Sequence, residues 1–96
     1  MRSLALMLVL LFACSGCHRQ RASSADCAEI LDRVVALELG ELGFRDPALV
    51  DRKTREVRTT FAGELNRCEG GGMKPGAMDC VRAARTTEEI SHRCLR

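Results

Sequence analysis

Four cysteines are spread through the last three quarters of this 96-residue chain, at Cys27, Cys68, Cys80 and Cys94. A chain of this length has room for one small domain with a limited hydrophobic core. Beyond residue 14 the only aromatic residues are Phe44 and Phe61, so the core must be aliphatic and thin. In an oxidising compartment, four spaced cysteines in such a small domain predict two disulfides.

The N-terminus has the pattern of a secretory leader. Arg2 supplies a positive charge, residues 4–13 form an unbroken run of ten apolar residues, and Cys14-Ser15-Gly16-Cys17 follows. A bilayer-spanning helix needs about 20 apolar residues, so this run is too short to remain as an anchor. We therefore expect residues 1–13 to be a signal peptide and the protein to be exported.

The end of the leader resembles the lipobox of bacterial lipoproteins. Leu11-Phe12-Ala13-Cys14 matches its first and third positions, which makes Cys14 the expected lipidation site. The resemblance implies a diacylglyceryl group on the cysteine sulfur and an acyl chain, such as palmitate, on its new amine. Cys17 is the alternative site, because its choice would leave an even set of four cysteines in the mature chain. The remaining alternative is simple cleavage, which would give a soluble secreted protein.

The same residues contain a second motif, Cys14-Ser15-Gly16-Cys17-His18, which has the form used for covalent attachment of c-type haem. In that alternative the protein is a small haem electron carrier, with Met73, Met78 or His92 as the other axial ligand. Because the motif adjoins the leader, cleavage would destroy it or leave it at the extreme terminus, so we expect no cofactor. Nor do we expect a metal site, since the cysteines after Cys17 form no Cys-x-x-Cys pair.

The mature chain divides into a lipidated terminus with a flexible tether, residues 14–25, and a small helical domain, residues 26–96. Asp26 is the predicted N-cap of a first helix that runs to Leu42 and ends at Gly43. Its apolar positions cover an arc of about 200°, so we expect a central helix contacted from two sides. Glu38 and Glu41 fall inside that arc. They lie either at the open end of the core or as buried carboxylates paired with an arginine of the next helix.

Asp46 and Pro47 predict the start of a second helix, which continues to Cys68 and forms an antiparallel hairpin with the first. Its apolar stripe spans only about 80°, so it packs on one side. The outer face is basic, but i,i+4 pairs of Asp51 with Arg55 and of Arg52 with Glu56 are available, and residues 46–69 carry five acids and five bases. We therefore expect a solvated face and no nucleic-acid partner.

Three glycines at 70–72 end the second helix, and two short helices follow over residues 77–85 and 87–95. Thr86 and Glu89 have the spacing of a capping box. Two antiparallel hairpins bring Cys27 near Cys68 and Cys80 near Cys94, which are the predicted disulfides. The alternative pairing is Cys27 with Cys94 and Cys68 with Cys80. The predicted fold is thus all-α, a disulfide-linked antiparallel helical hairpin with a second short helical hairpin.

The cysteine pattern, with Asp79-Cys80-Val81-Arg82-Ala83-Ala84-Arg85 leading toward Cys94, resembles a group of small four-cysteine helical secreted proteins and lipoproteins of Gram-negative bacteria. That group has no assigned activity, so the resemblance implies helices, disulfides and export only. We find no catalytic constellation and expect no enzyme and no small-molecule substrate. The expected function is a lipid-anchored binding or structural module of the cell envelope, facing the periplasm or the cell surface, with an envelope protein as its candidate partner.

Overall fold

The computed structural model describes residues 20–96, and all the structural statements below concern this part of the chain. The elements follow in the order β1 (Gln20–Arg21), α1 (Ser24–Glu41), α2 (Pro47–Thr60), α3 (Ala62–Cys68), β2 (Gly72–Met73), α4 (Ala77–Ala83) and α5 (Thr87–Glu89), with a π-helical turn over Ile90–Cys94. The predicted all-α class is confirmed. None of these helices combines the length and apolar character needed to cross a bilayer.

Helix α1 begins with a reciprocal capping box. Ser23 is the N-cap, and its hydroxyl accepts a hydrogen bond from the Asp26 amide at 3.0 Å, while the Asp26 carboxylate accepts one from the Ser23 amide at 3.0 Å. The prediction of Asp26 as N-cap was therefore wrong. Asp26 occupies the third helical position, where its carboxylate satisfies an amide that has no partner within the helix.

The predicted end of α1 agrees with the structure to within a residue. The amides of Gly43 and Phe44 bond back to the carbonyls of Gly40, at 3.0 Å, and Leu39, at 2.8 Å. These two bonds are those of a Schellman motif, which needs a left-handed residue after the helix. Gly43 supplies it with a φ of 90°.

The predicted tether is not confirmed for residues 20–25. Strand β1 pairs antiparallel with β2, Gln20 opposite Met73, and Ala22 exchanges 2.8 Å backbone hydrogen bonds with Gly70 and Gly71. Ala22 is itself buried, with 6% of its surface exposed. The turn at Gly70 and Gly71 has a backbone amide and a carbonyl without partners in a helix, and Ala22 forms hydrogen bonds with both.

The predicted second helix is broken in two at Phe61, whose φ of −102° and ψ of 26° lie outside the helical range. Just before the break, the hydroxyls of Thr59 and Thr60 donate to carbonyls four residues earlier. Such bonds bend helices, and Gly63 just beyond is a poor helix former. The break separates α3, which carries Cys68, from α2.

Two disulfides join Cys27 with Cys68 and Cys80 with Cys94, the same pairs that the hairpin geometry predicts. Their Cα–Cα distances are 6.0 Å and 5.4 Å. Each disulfide belongs to a separate cluster of buried residues. One cluster contains Ala22, Cys27, Met73 and Ala77, and the other contains Val81, Ala84, Ile90 and Cys94.

Helix α1 is central, as predicted, because Ile30 packs against both clusters while α2 lies along another side of the same helix. The short helices differ in detail from the prediction. Helix α4 ends at Ala83, and the last helix changes to π-helical geometry at Ile90. The Thr86 hydroxyl accepts a hydrogen bond from the Glu89 amide at 3.1 Å, which is one of the two bonds of the predicted capping box. The Glu89 carboxylate accepts from the amide of Arg85 and not from that of Thr86, so the second bond does not form.

Candidate functional site

A groove of about 430 Å³ runs between α1 and α2, and we name it the α1–α2 groove. Its floor and walls are almost entirely aliphatic or aromatic, with one acid and one base at the edge. The residues that form it are Leu31, Val34, Val35, Glu38, Leu39 and Leu42 of α1, Lys53 and Val57 of α2, and Phe61 at the helix break.

The groove exists because the two helices have apolar faces of unequal width. The arc of α1 is wider than one partner covers, and the narrower stripe of α2 leaves part of it open. Leu42 is 72% exposed and Phe61 is 44% exposed. Large exposed apolar side chains that line one groove on a small domain are typical of an interaction surface.

Charged residues at the edge of the groove lie at the surface. Glu38 is exposed, and so is Lys53, whose Nζ bonds to Glu56 Oε1 at 3.2 Å. Glu41 is also exposed and accepts a long hydrogen bond of 3.4 Å from the Thr87 amide. Of the two interpretations of Glu38 and Glu41, the structure supports the open end of the core.

Ion pairs at the surface link α1 to both of its neighbours. Arg58 of α2 binds the Asp32 carboxylate of α1 through two nitrogens, with Nε at 2.8 Å from Oδ1. These hydrogen bonds, and the charge of Asp32, raise the pKa of Arg58 above its usual value. Sequence reasoning missed this pair, although Asp32 and Arg58 are each 13 residues from Arg45 in the hairpin turn and are therefore level in an antiparallel arrangement.

On the side of α4, Arg82 binds Glu29 at 2.7 and 3.1 Å, and hydrogen bonding to that carboxylate raises the pKa of Arg82. Arg33 reaches across from α1 and donates from Nη2 to the Ala84 carbonyl at 2.6 Å. Ala84 is the C-cap of α4, so a cation here satisfies one of the free carbonyls at a helix end. The i,i+4 pair of Asp51 and Arg55 forms as predicted, whereas Glu56 pairs with Lys53 and not with Arg52.

The remaining sequence candidates lie partly outside the described residues. Cys14, Cys17 and His18 lie outside residues 20–96. Met73 is buried in the cluster around Cys27, Met78 packs against that cluster, and His92 is exposed on the π-helical turn. Within the described part of the chain, no group of three or more histidine, cysteine or acidic side chains is arranged to hold a metal ion.

Comparison with protein-family models, curated proteins and solved structures finds no match to this chain. The resemblance to small four-cysteine lipoproteins therefore stays a prediction.

Proposed function

We propose that this chain is an exported, lipid-anchored protein of the bacterial cell envelope, and that its helical domain binds a protein partner through the α1–α2 groove. The observation that carries the proposal is the exposure of Leu42 and Phe61 in an aliphatic groove, in a domain whose other exposed large apolar side chains, within the described residues, are Phe44 and Leu95. Burial of such side chains in a partner removes apolar surface from water at about 25 cal/mol per Å².

Export and anchoring are supported by the N-terminal sequence and by the cysteines. A short apolar leader ends at Cys14 and Cys17, and the four later cysteines form two disulfides. Disulfides persist mainly in oxidising compartments such as the periplasm. A cysteine that carries several acyl chains holds a protein stably on a membrane.

The dimensions of the groove favour an amphipathic helix as its occupant. From Leu31 to Leu42 the α1 wall extends about 16 Å, or three helical turns. Helix-in-groove binding uses apolar side chains that recur at three and four residues, and a face of three turns presents several of them. Glu38 and Lys53 at the edge would pair with charges beside that apolar face and so set its register.

Site-specific photocrosslinking in cells that express the full chain tests the partner. A crosslinking amino acid at Leu42 or Phe61 should give one discrete adduct with the same envelope protein. The same amino acid at Arg52, which is exposed outside the groove, is the matched control and should give none. Equal labelling at all three positions, or no adduct from either groove position, would contradict the proposal.

Fractionation tests the anchor separately. Replacing both Cys14 and Cys17 with serine should abolish acylation and release the protein from the membrane fraction. Replacing Cys17 alone should leave the protein anchored, because Cys14 is the expected site. A double variant that stays in the membrane with an unchanged mass would exclude lipidation.

A further inference from the structure

We infer that the domain binds anionic phospholipid headgroups through the face from which its chain leads back to the N-terminus. This exit face consists of Arg21, Lys74, Arg93, Leu95 and Arg96. The inference rests on the lipid anchor of the proposed function. It adds that the anchored domain lies against the bilayer in a fixed orientation.

The exit face is assembled from three separate parts of the chain. Arg21 of β1 lies opposite Gly72 of β2, and Lys74 follows two residues later, at about 7 Å along an extended chain. The Lys74 ammonium donates to the backbone carbonyl of Arg93. Leu95 and Lys74 line the same depression beside Met73. The end of the described chain therefore lies next to the β1–β2 pair.

The basic residues of this face have no counter-ion within the described chain, a property that they share with Arg33, Arg45, Arg52 and Arg85. Within residues 20–96, Arg21, Lys74, Arg93 and Arg96 form no ion pair, whereas five other bases do: Lys53, Arg55, Arg58, Arg67 and Arg82.

Five acids lie within five residues of these bases in the chain: Asp26, Glu69, Asp79, Glu88 and Glu89. Three of them are engaged elsewhere, because Asp26 accepts from the Ser23 amide, Asp79 pairs with Arg82, and Glu89 accepts from the Arg85 amide. Within residues 20–96 none of the five forms an ion pair with a base of the exit face. The charges of this face are therefore not paired within the described part of the domain.

The length of chain before β1 holds this face close to the membrane. Cys14 is six residues before Gln20 and Cys17 is three residues before it, so fully extended tethers span about 20 Å and about 10 Å. The far end of α1 lies 18 residues, or about 27 Å, beyond the start of that helix. Attraction to anionic lipids falls off within about 8 Å in physiological salt. A tether of this length lets the exit face reach that range, and when the face is in contact the hairpin turn lies outside it.

Leu95 fits the same partner. Its side chain is 46% exposed and stands between Arg93 and Arg96 in the sequence. An apolar side chain flanked by bases matches the boundary between phosphate headgroups and acyl chains.

Hydrogen exchange on the acylated full-length protein tests the inference. The protein is reconstituted into vesicles of phosphatidylcholine alone and of phosphatidylcholine with phosphatidylglycerol. On the anionic vesicles, the amides of residues 72–74 and 93–96 should exchange at least about fivefold more slowly, since one basic residue contributes about that factor near a charged surface. High salt should remove the difference.

Charge-matched variants locate the contact. Arg21→Gln, Arg93→Gln and Arg96→Gln together should abolish the protection on anionic vesicles. The control replaces three bases at the other end of the domain that also form no ion pair within the described chain. These are Arg45, Arg52 and Arg85, and their change to glutamine should leave the protection intact.

The outcomes distinguish failure of this inference from failure of the proposed lipid anchor. An intact mass without acyl chains, measured before reconstitution, would overturn the anchor together with the inference. An acylated protein whose exit face exchanges equally on both vesicles would overturn the inference alone. Equal loss of protection in both triple variants would also overturn the inference. So would protection of the same amides by soluble polyglutamate to the same degree as by anionic vesicles.

Discussion

Cys27 and Cys68 are joined by a disulfide across 41 residues, and the loop that it closes contains most of α1, all of α2 and the turn between them. The second disulfide, Cys80 to Cys94, closes a loop of only 14. In the chain-entropy model, loops of these lengths stabilise the fold by about 4 and about 3 kcal/mol. Both values are comparable with the whole stability of a domain with so small a core.

We therefore expect Cys27→Ala with Cys68→Ala to lower the free energy of unfolding by more than Cys80→Ala with Cys94→Ala does. Urea titration followed by circular dichroism measures both. Reduction of the wild type should remove most of the helical signal. A signal that reductant leaves unchanged would show that the disulfides do not hold the fold.

Among residues 20–96, Ile90 is the largest fully buried side chain, with 1% of its surface exposed. Ile90→Ala should lower the free energy of unfolding by about 2 to 5 kcal/mol, because it removes apolar contacts and leaves a cavity. Leu42→Ala is the control, since Leu42 is 72% exposed and should change stability by less than about 0.5 kcal/mol. Similar losses in the two variants would place the core elsewhere.

The N-cap of α1 is Ser23 and not Asp26, and this difference can be tested by mutation. Ser23→Ala should destabilise the fold by about 1 kcal/mol, because the Asp26 amide loses its acceptor. Ser24→Ala changes the same residue type one position later, outside the box, and should be nearly neutral. A double-mutant cycle of Ser23 with Asp26 should show coupling, and strictly additive losses would contradict the reciprocal bonding.

Two glycines near the end of α1 should respond in opposite ways to alanine. Gly43 has a φ of 90°, so Gly43→Ala forces a side chain into a left-handed conformation and should destabilise the domain by about 1 kcal/mol. Gly40 is helical, and a Cβ there meets nothing within 4 Å, so Gly40→Ala should stabilise by about 0.5 to 1 kcal/mol. Thermal unfolding measures both, and shifts of the same sign would be inconsistent with the turn.

The hairpin and its turn are predictable from sequence because their signals are local. Gly43 and Asp46-Pro47 mark the end of one helix and the start of the next, and the wide apolar arc of α1 marks it as central. The pairing of β1 with β2 is not predictable in the same way. Two-residue strands have no periodicity, and this pair depends on a glycine turn some 50 residues further along the chain.

The groove is only partly foreseeable. The unequal apolar widths of α1 and α2 indicate that some surface stays uncovered, but its position depends on the helix break at Phe61. The break coincides with Thr59, Thr60 and Gly63, which favour a bend. The apolar stripe of the predicted helix continues past these residues, so the stripe alone does not reveal the break. The Arg33 bond to Ala84 depends on where α4 ends, and the sequence places that end two residues too late.

The intact mass of the exported protein, after thiol alkylation without reduction, tests the central claim of a lipid-anchored, disulfide-linked domain most directly. We predict a chain that begins at Cys14, or at Cys17, and carries the mass of the diacylglyceryl group and the amide-linked acyl chain. The four later cysteines should add no alkyl groups, and Cys17 should add one at most. A chain without acyl mass, a mass increased by haem, or alkylation of Cys27, Cys68, Cys80 or Cys94 would contradict the account.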